Sequence, residues 1–359
     1  MQPPKPHKGH GAISNPQGRF ESRRVQHTDD GWSHDPEQEM PPPQTTISAE
    51  HARSLITRNN SPDILFEQSI NPYRGCGHAC IYCYARPAHS YINLSPGLDF
   101  ETKLFYKDNA AEILQQELSR PNYICKSITL GANTDPYQPI ERSLKVTRSI
   151  LEVLKSFSHP VSIVTKGHLV ERDIDILSDM ARDNLASVLV SVTTLDADLK
   201  RKLEPRAPGP VARLHAIRSL RDAGVPVGSL VAPIIPAIND QEIELILEAV
   251  ADAGARTAGY VMLRLPYEVK DLFREWLAAH YPLRAAHVMS LINDLRGGRD
   301  NDPNFGSRMR GKGPFAELVR RRFELACKRL NLNTSRYPLL NTQLFRAPSL
   351  ERKQLDLGF

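Results

Sequence analysis

Short apolar runs alternate with amphipathic stretches through the middle of this chain, and that alternation limits the fold more than any other feature. The runs are Phe66–Ile70, Ser127–Leu130, Val161–Thr165, Ser187–Thr193, Val225–Ala232 and Tyr260–Leu265. From the second onward their centres lie roughly 27 to 38 residues apart, the length of one strand–helix unit. Helical periodicity fills the gaps at Asn109–Leu118, Ser143–Phe157, Ile174–Ala181, Val211–Ala223 and Asp240–Ala253. Some runs are apolar without a break, as in Val188-Leu189-Val190. A strand covered on both faces tolerates that pattern. The expected fold is α/β, a partial (β/α)6 barrel, with an open doubly wound sheet as the alternative. At 359 residues the chain is long enough to bury a sizeable core without disulfide or metal staples.

The flanks read differently. Residues 1–60 hold eight of the 28 prolines and five of the 12 histidines, with no sustained apolar period. That composition buries too little surface to offset ordering entropy, so a disordered or loosely wrapped Pro/His-rich tail is expected over 1–60. From 267 onward the pattern is helical, at Val269–Ala279, Arg284–Leu295 and Pro314–Leu330. The expected division is therefore a tail, a core over 61–266 and a helical basic extension over 267–359. Net charge is only +5, yet residues 296–330 set ten Lys/Arg against four acids. A patch of Arg308, Arg310, Lys312 and Arg320-Arg321-Arg322 contacting DNA or RNA phosphates is one reading. A solvated helix surface paired with acids elsewhere is the other.

Several classes are excluded at this level. No apolar run approaches the ~20 residues of a bilayer span, and residues 1–15 lack the apolar stretch of a secretory signal. No membrane association is expected. Five cysteines, three of them within eight positions, do not make a disulfide framework. A reducing, cytoplasmic setting is the expectation.

Those three cysteines carry the chemistry. Asn71-Pro-Tyr-Arg-Gly-Cys76-Gly-His-Ala-Cys80-Ile-Tyr-Cys83-Tyr-Ala-Arg86 spaces them C-x3-C-x2-C directly after the first strand candidate. Gly75 and Gly77 permit a loop that wraps a compact object. Three thiolates at this spacing bind three corners of a cubane cluster, and no fourth cysteine in the loop completes the set. The fourth iron is then open to a ligand offering an amino and a carboxylate group. A structural zinc site adding His78, or three unrelated buried thiols, are the competing readings.

The loop resembles the signature of the radical S-adenosylmethionine (SAM) superfamily, C-x3-C-x-aromatic-C, met by Cys76, Cys80, Tyr82 and Cys83. Within it the chain is similar to the spore photoproduct lyase-related, DNA-repair-photolyase-like branch over roughly residues 65–266. Gly131-Ala-Asn-Thr-Asp135-Pro-Tyr-Gln-Pro139, Val164-Thr-Lys166 and Leu203-Glu-Pro-Arg206 carry that similarity. A largely uncharacterised bacterial subgroup shares Arg296-Gly-Gly and Phe305-Gly-Ser-Arg-Met-Arg-Gly311 as well.

The resemblance implies an enzyme holding a [4Fe–4S] cluster on Cys76, Cys80 and Cys83, with SAM at the open iron and an external one-electron reductant. It implies reductive cleavage of SAM and hydrogen abstraction from a substrate that it does not identify; nucleic acid is the preferred class. Tyr82 falls where the family contacts adenine, and Gly131, Asn133 and Asp135 lie in the segment that meets the SAM amino group. Lys166 falls where an ammonium meets the SAM carboxylate, with Ser191 or Thr193 as a polar partner and Arg206 as a further carboxylate ligand. Each has a structural alternative. These are packing for Tyr82, a capped turn for Asp135, a surface position for Lys166, a core hydroxyl for Ser191 and an ion pair with Glu204 for Arg206. Asn239 reads as a helix N-cap.

One departure bears on the substrate. The hydrogen-donating cysteine of the lyases falls close to Ala132, and Cys125, seven residues earlier, does not replace it. Cys125 and Cys327 read as ordinary buried thiols. The functional alternative to an enzyme is a zinc-stabilised nucleic-acid-binding protein.

Overall fold

The structure, a computed structural model, describes residues 6–20, 43–64, 66–334 and 339–347. Six parallel strands form its main sheet: β1 (Gln68–Ile70), β2 (Ile128–Leu130), β3 (Val161–Thr165), β4 (Ala186–Ser191), β5 (Val227–Ile234) and β6 (Thr257–Met262). Each lies beside its predecessor in the chain, with Ile128 opposite Val161, Val161 opposite Ala186 and Val188 opposite Val227. A doubly wound sheet reverses strand order at a switch point. This sheet never does, so the topology is that of the partial barrel. A short strand, Thr57–Arg58, pairs antiparallel outside β1.

Helices α1 (Ala110–Leu118), α2 (Val146–Ser156), α3 (Ile174–Arg182), α4 (Pro210–Asp222) and α5 (Ile243–Ala253) connect the strands. Their apolar stripes explain the packing: α2 buries Ile150, Leu151 and Leu154, and α5 buries Ile246, Leu247 and Val250. Each such side chain contributes roughly 1.5–3 kcal/mol by leaving water. Val188 and Val190 on β4 are wholly buried, as an unbroken apolar run requires. Where β2 ends, Gly131 takes φ +88°, and a Cβ there would overlap the Val164 carbonyl oxygen of β3.

Beyond the barrel come α6 (Val269–His280), α7 (Ala285–Leu295) and α8 (Gly313–Arg329). The boundary expected at 266/267 does not separate two cores. Val269, Phe273, Trp276 and Ile292 of α6 and α7 join Cys80, Ile81 and Tyr82 in one buried cluster. The segment Phe305–Gly311 closes the open side between β6 and β1. Met262 N–H donates to the Met309 carbonyl at 2.9 Å, and Gly306 N–H donates to Asp63 at 2.6 Å. Arg308 pairs with Asp63, and buried Arg296 donates to the carbonyls of Met262, Leu263, Ser307 and Arg308.

The expected tail over 1–60 is corrected over its described parts. Thr46–Glu50 is a strand, parallel to Lys103–Lys107, which in turn pairs with Tyr73–Arg74. Residues 10–16 run against the cysteine loop with Ala12 and Ile13 buried. Gly11 and Ala12 N–H donate to the Glu101 carboxylate at 3.1 and 2.8 Å, and Asn15 exchanges bonds with Asp99. Backbone donors meeting buried acids hold this strap, so it needs no apolar period. Residues 1–5 and 21–42 lie outside the described residues.

Candidate active site

The cysteine loop leaves β1 at the C-terminal rim of the sheet, the end at which (β/α) barrels assemble their reacting groups. Gly75 opens it with φ +76°, and Ala79 turns it again in the left-handed region at +60°. Four anchors fix its path. Gln138 accepts from Gly77 N–H at 2.7 Å and donates to the Gly75 carbonyl at 3.2 Å, clamping both sides of Cys76. Cys76 N–H donates to the Phe100 carbonyl and Ile81 N–H to the Leu203 carbonyl. Wholly buried Arg86 donates to the Cys80 carbonyl at 2.9 Å and pairs with equally buried Glu101. Glu101 in turn holds the N-terminal strap.

Cys76, Cys80 and Cys83 are all free thiols, the first two buried and the third half-buried. Burial pushes the Cys80 thiol well above its usual range, helped by Glu204, and pushes Cys83 up as well. Soft sulfur donors on one glycine-turned loop fit an iron–sulfur cluster. A closed zinc site would need His78 as a fourth ligand beside the three thiols. His78 turns its Nδ1 to Asp135 at 3.4 Å, and among the described residues no three His, Cys, Asp or Glu side chains converge to hold a single metal ion. Zinc draws all its ligands to one centre, with Zn–S near ~2.3 Å, whereas a cubane presents separate corners.

The other expected residues gather around this loop. Asp135 accepts from Lys166 N–H at 2.7 Å, Thr165 Oγ1 at 2.6 Å and Tyr137 N–H at 2.9 Å. The last of these is the capped turn anticipated as its structural role. Burial pushes Asp135 up, but His78 and these donors outweigh it and hold it at about 2. Asn133 and Thr134 N–H donate to Asn71 Oδ1 at 2.9 and 3.3 Å, which ties the segment after β2 to the start of the cysteine loop. Lys166 directly follows β3, its ammonium 5.7 Å from the Tyr82 ring centroid. Burial opposes its charge, while Cys80 and Glu204 outweigh that and raise its pKa.

Tyr82 donates its hydroxyl to buried Glu204, which also accepts from Thr193 at 2.6 Å and pairs with Arg213. Burial opposes the Glu204 charge, yet Arg213, Lys166 and Thr193 hold it at about 2. The expected Arg206–Glu204 pair is thus corrected. Arg213 on α4 takes the carboxylate, while Arg206 donates to the Glu101 carbonyl at 2.9 Å and buries an Nε without a partner. Ser191 is buried at the end of β4, its carbonyl accepting from Arg213 at 3.0 Å. Asn239 stands at the N-cap position of the short 3-10 helix Asp240–Glu242, as expected, but its side chain makes no capping bond there. Its side chain accepts from Ile235 N–H and donates to the carbonyls of Thr193 and Pro233, bracing the loop after β5.

Gln138 and Arg86 were within reach of sequence reading, since both lie in the quoted segments. Nothing local marks Glu101 or Arg213, whose roles depend on partners brought in by the fold. Cys125 precedes β2, at the end of the sheet opposite the loop. The basic helix is largely neutralised: Arg320 pairs with Glu317 and Glu324, Arg321 with Glu317, Arg322 with Glu244 and Arg329 with Glu248. The solvated, acid-paired reading of that surface is the one the structure contains. Among the described residues no helix is long and apolar enough to cross a membrane.

Comparisons with known proteins agree with this geometry. The Radical SAM superfamily profile matches residues 70–250. An uncharacterised Mycobacterium tuberculosis protein is 38% identical over 225 residues, covering 62% of this chain and 66% of its own. One from Methanocaldococcus jannaschii is 28% identical over 213 residues, covering 59% of this chain and 76% of its own. The chain thus spans 66% of the length of the mycobacterial relatives it matches. Among solved structures, a spore photoproduct lyase mutant superposes with TM-score 0.54 at 15% identity, over 79% of each chain. A spore photoproduct lyase complexed with dinucleoside spore photoproduct gives TM-score 0.54 at 16% identity, over 79% of each chain.

Proposed function

This chain belongs to the radical SAM superfamily, and we propose that Cys76, Cys80 and Cys83 carry the [4Fe–4S] cluster of an enzyme that abstracts hydrogen from a nucleic-acid substrate. The observation that carries this reading is the cysteine loop itself, with three free thiols at the sheet's C-terminal rim on a backbone clamped by Gln138 and Arg86. A bound cluster with SAM supplies one-electron cleavage of the sulfonium and the carbon radical that takes the hydrogen.

The chain's own residues bind, orient and exclude water. Lys166 and Arg206 offer cations to the SAM carboxylate, and the partnerless Arg206 Nε is a donor such a group would satisfy. Asp135 has its donors within the protein, so it positions Lys166 for the carboxylate, while the Gly131–Asn133 turn, held by Asn71, faces the SAM amino group. Glu204 fixes the Tyr82 hydroxyl and presents its ring to the adenine, with Ser191 as a neighbouring polar wall. Residues 61–266 form the catalytic core in this reading, and α6 and α7 seal it. An external one-electron reductant supplies the electron, and the cytoplasm is the setting. A lyase of the same fold holding a dinucleoside photoproduct supports nucleic acid as the substrate class.

Anaerobic reconstitution tests the cluster. The wild-type chain is expected to bind about four irons and four sulfides and to give an electron paramagnetic resonance signal, once reduced, that changes on adding SAM. Cys76→Ala, Cys80→Ala and Cys83→Ala should each lose both. A colourless chain binding one zinc would refute the reading.

A further inference from the structure

Beside the cysteine loop the surface changes character. Tyr84, next to Cys83, is 48% exposed, Tyr91 on the following turn 69%, and Tyr267 on the loop after β6 63%. Phe20 of the strap, 51% exposed, joins them. Arg19 gathers three of the four, its guanidinium 3.6 Å from the Tyr267 ring centroid, 5.1 Å from Phe20 and 5.6 Å from Tyr91. Arg264 lies three residues before Tyr267 and 5.8 Å from the Tyr84 ring centroid. Tyr84 donates to the Ala132 carbonyl beyond β2, so this rim faces the mouth of the barrel.

Three features set the rim apart from ordinary surface. Three exposed rings gather around Arg19, which also pairs with Glu268 at 3.6 Å, and Tyr84 stands beside Arg264, a grouping rather than single scattered rings. Tyr267 adopts φ +50°, a conformation that strains a bulky residue and holds its ring outward. Arg264 is half-buried, yet among the described residues no carboxylate lies within ion-pair distance. Among the described residues its polar contact is the Met309 sulfur at 3.7 Å, and its Nε meets no acceptor. Burial and then Arg308 depress its pKa, with Tyr84 and Asp63 acting the other way. The arginines of α8, by contrast, pair with carboxylates.

We propose that this rim binds single-stranded nucleic acid, with bases stacked on Tyr84, Tyr91, Tyr267 and Phe20 and a backbone phosphate on Arg264. Stacked rings with an unpaired arginine are the composition that sequence-tolerant single-strand sites use. The rim deepens the functional reading above and rests on it for the position of the reacting centre. It also moves nucleic-acid contact from the basic helix to the barrel mouth.

The test uses the full chain, reconstituted and loaded with SAM, and a fluorescein-labelled single-stranded DNA of roughly 12 nucleotides read by anisotropy across about 50 to 200 mM salt. Tyr91→Ala and Tyr267→Ala should each weaken binding at least ~5-fold, while Tyr267→Phe stays within about twofold of wild type. Arg264→Gln should lower the slope of log affinity against log salt by about 0.7, and Arg321→Gln should not. A wild-type chain that ignores the strand, or rim variants indistinguishable from it, overturns the proposal. Cluster absorbance and SAM affinity are followed in parallel. A rim variant that loses SAM affinity instead of strand affinity also overturns it. A wild type that binds the strand but no iron leaves the rim standing and removes the radical reading.

Discussion

At the scale of single residues, buried charge organises this site. Glu204 and Arg213 are both essentially without solvent contact, and together they hold Tyr82 and Thr193. Glu204→Gln keeps the shape but leaves the guanidinium uncompensated, which costs about 3–5 kcal/mol. Urea unfolding of the reduced, cluster-free protein should show that loss, and a change below ~1 kcal/mol contradicts the pairing. His159 behaves oppositely. Burial depresses it to about 4 from the ordinary 6.5, and the Pro160 carbonyl only partly offsets that. The unfolded chain therefore binds one more proton than the folded chain within that window. Stability is full above pH ~6.5 and falls as pH drops toward 4, by about 2 kcal/mol at pH 5. His159→Gln should remove one proton from the slope of stability against pH between those limits, and an unchanged slope contradicts the assignment.

At the scale of elements, legibility followed periodicity. The six barrel strands and eight helices lie close to where apolar spacing put them, because strands β2, β4 and β5 bury most of their residues, β3 buries alternate ones, and each helix shows one apolar stripe. The cysteine loop was legible from its spacing. The strap was not, since it is held by the Gly11 and Ala12 amides reaching Glu101 about 90 positions away, and no local pattern encodes such a partner. Phe305–Gly311 was recognisable as a motif without revealing that it closes the barrel. The strap's place against the loop has a direct consequence. A side chain at Gly11 would collide with the Ala79 carbonyl between Cys76 and Cys80. Gly11→Val should therefore lift residues 10–16 away and speed iron release to a chelator from the reconstituted protein by roughly tenfold, while the free energy of unfolding falls by only about 1 kcal/mol. Equal release rates would show that the strap does not guard the cluster.

At the scale of the whole molecule, a six-stranded partial barrel, two covering helices, a closing loop and a docked strap converge on one loop of three thiols. The four arginines of the C-terminal helix pair with acids of the same chain. Everything functional here depends on those thiols holding a cluster that cleaves SAM. The measurement that reaches this most directly is 5′-deoxyadenosine formed by the anaerobically reconstituted chain with dithionite and SAM, set against a Cys76→Ala, Cys80→Ala, Cys83→Ala variant. The structure predicts nucleoside from the wild type and none from the variant. No nucleoside from an iron-loaded wild type, or equal amounts from both, would contradict it.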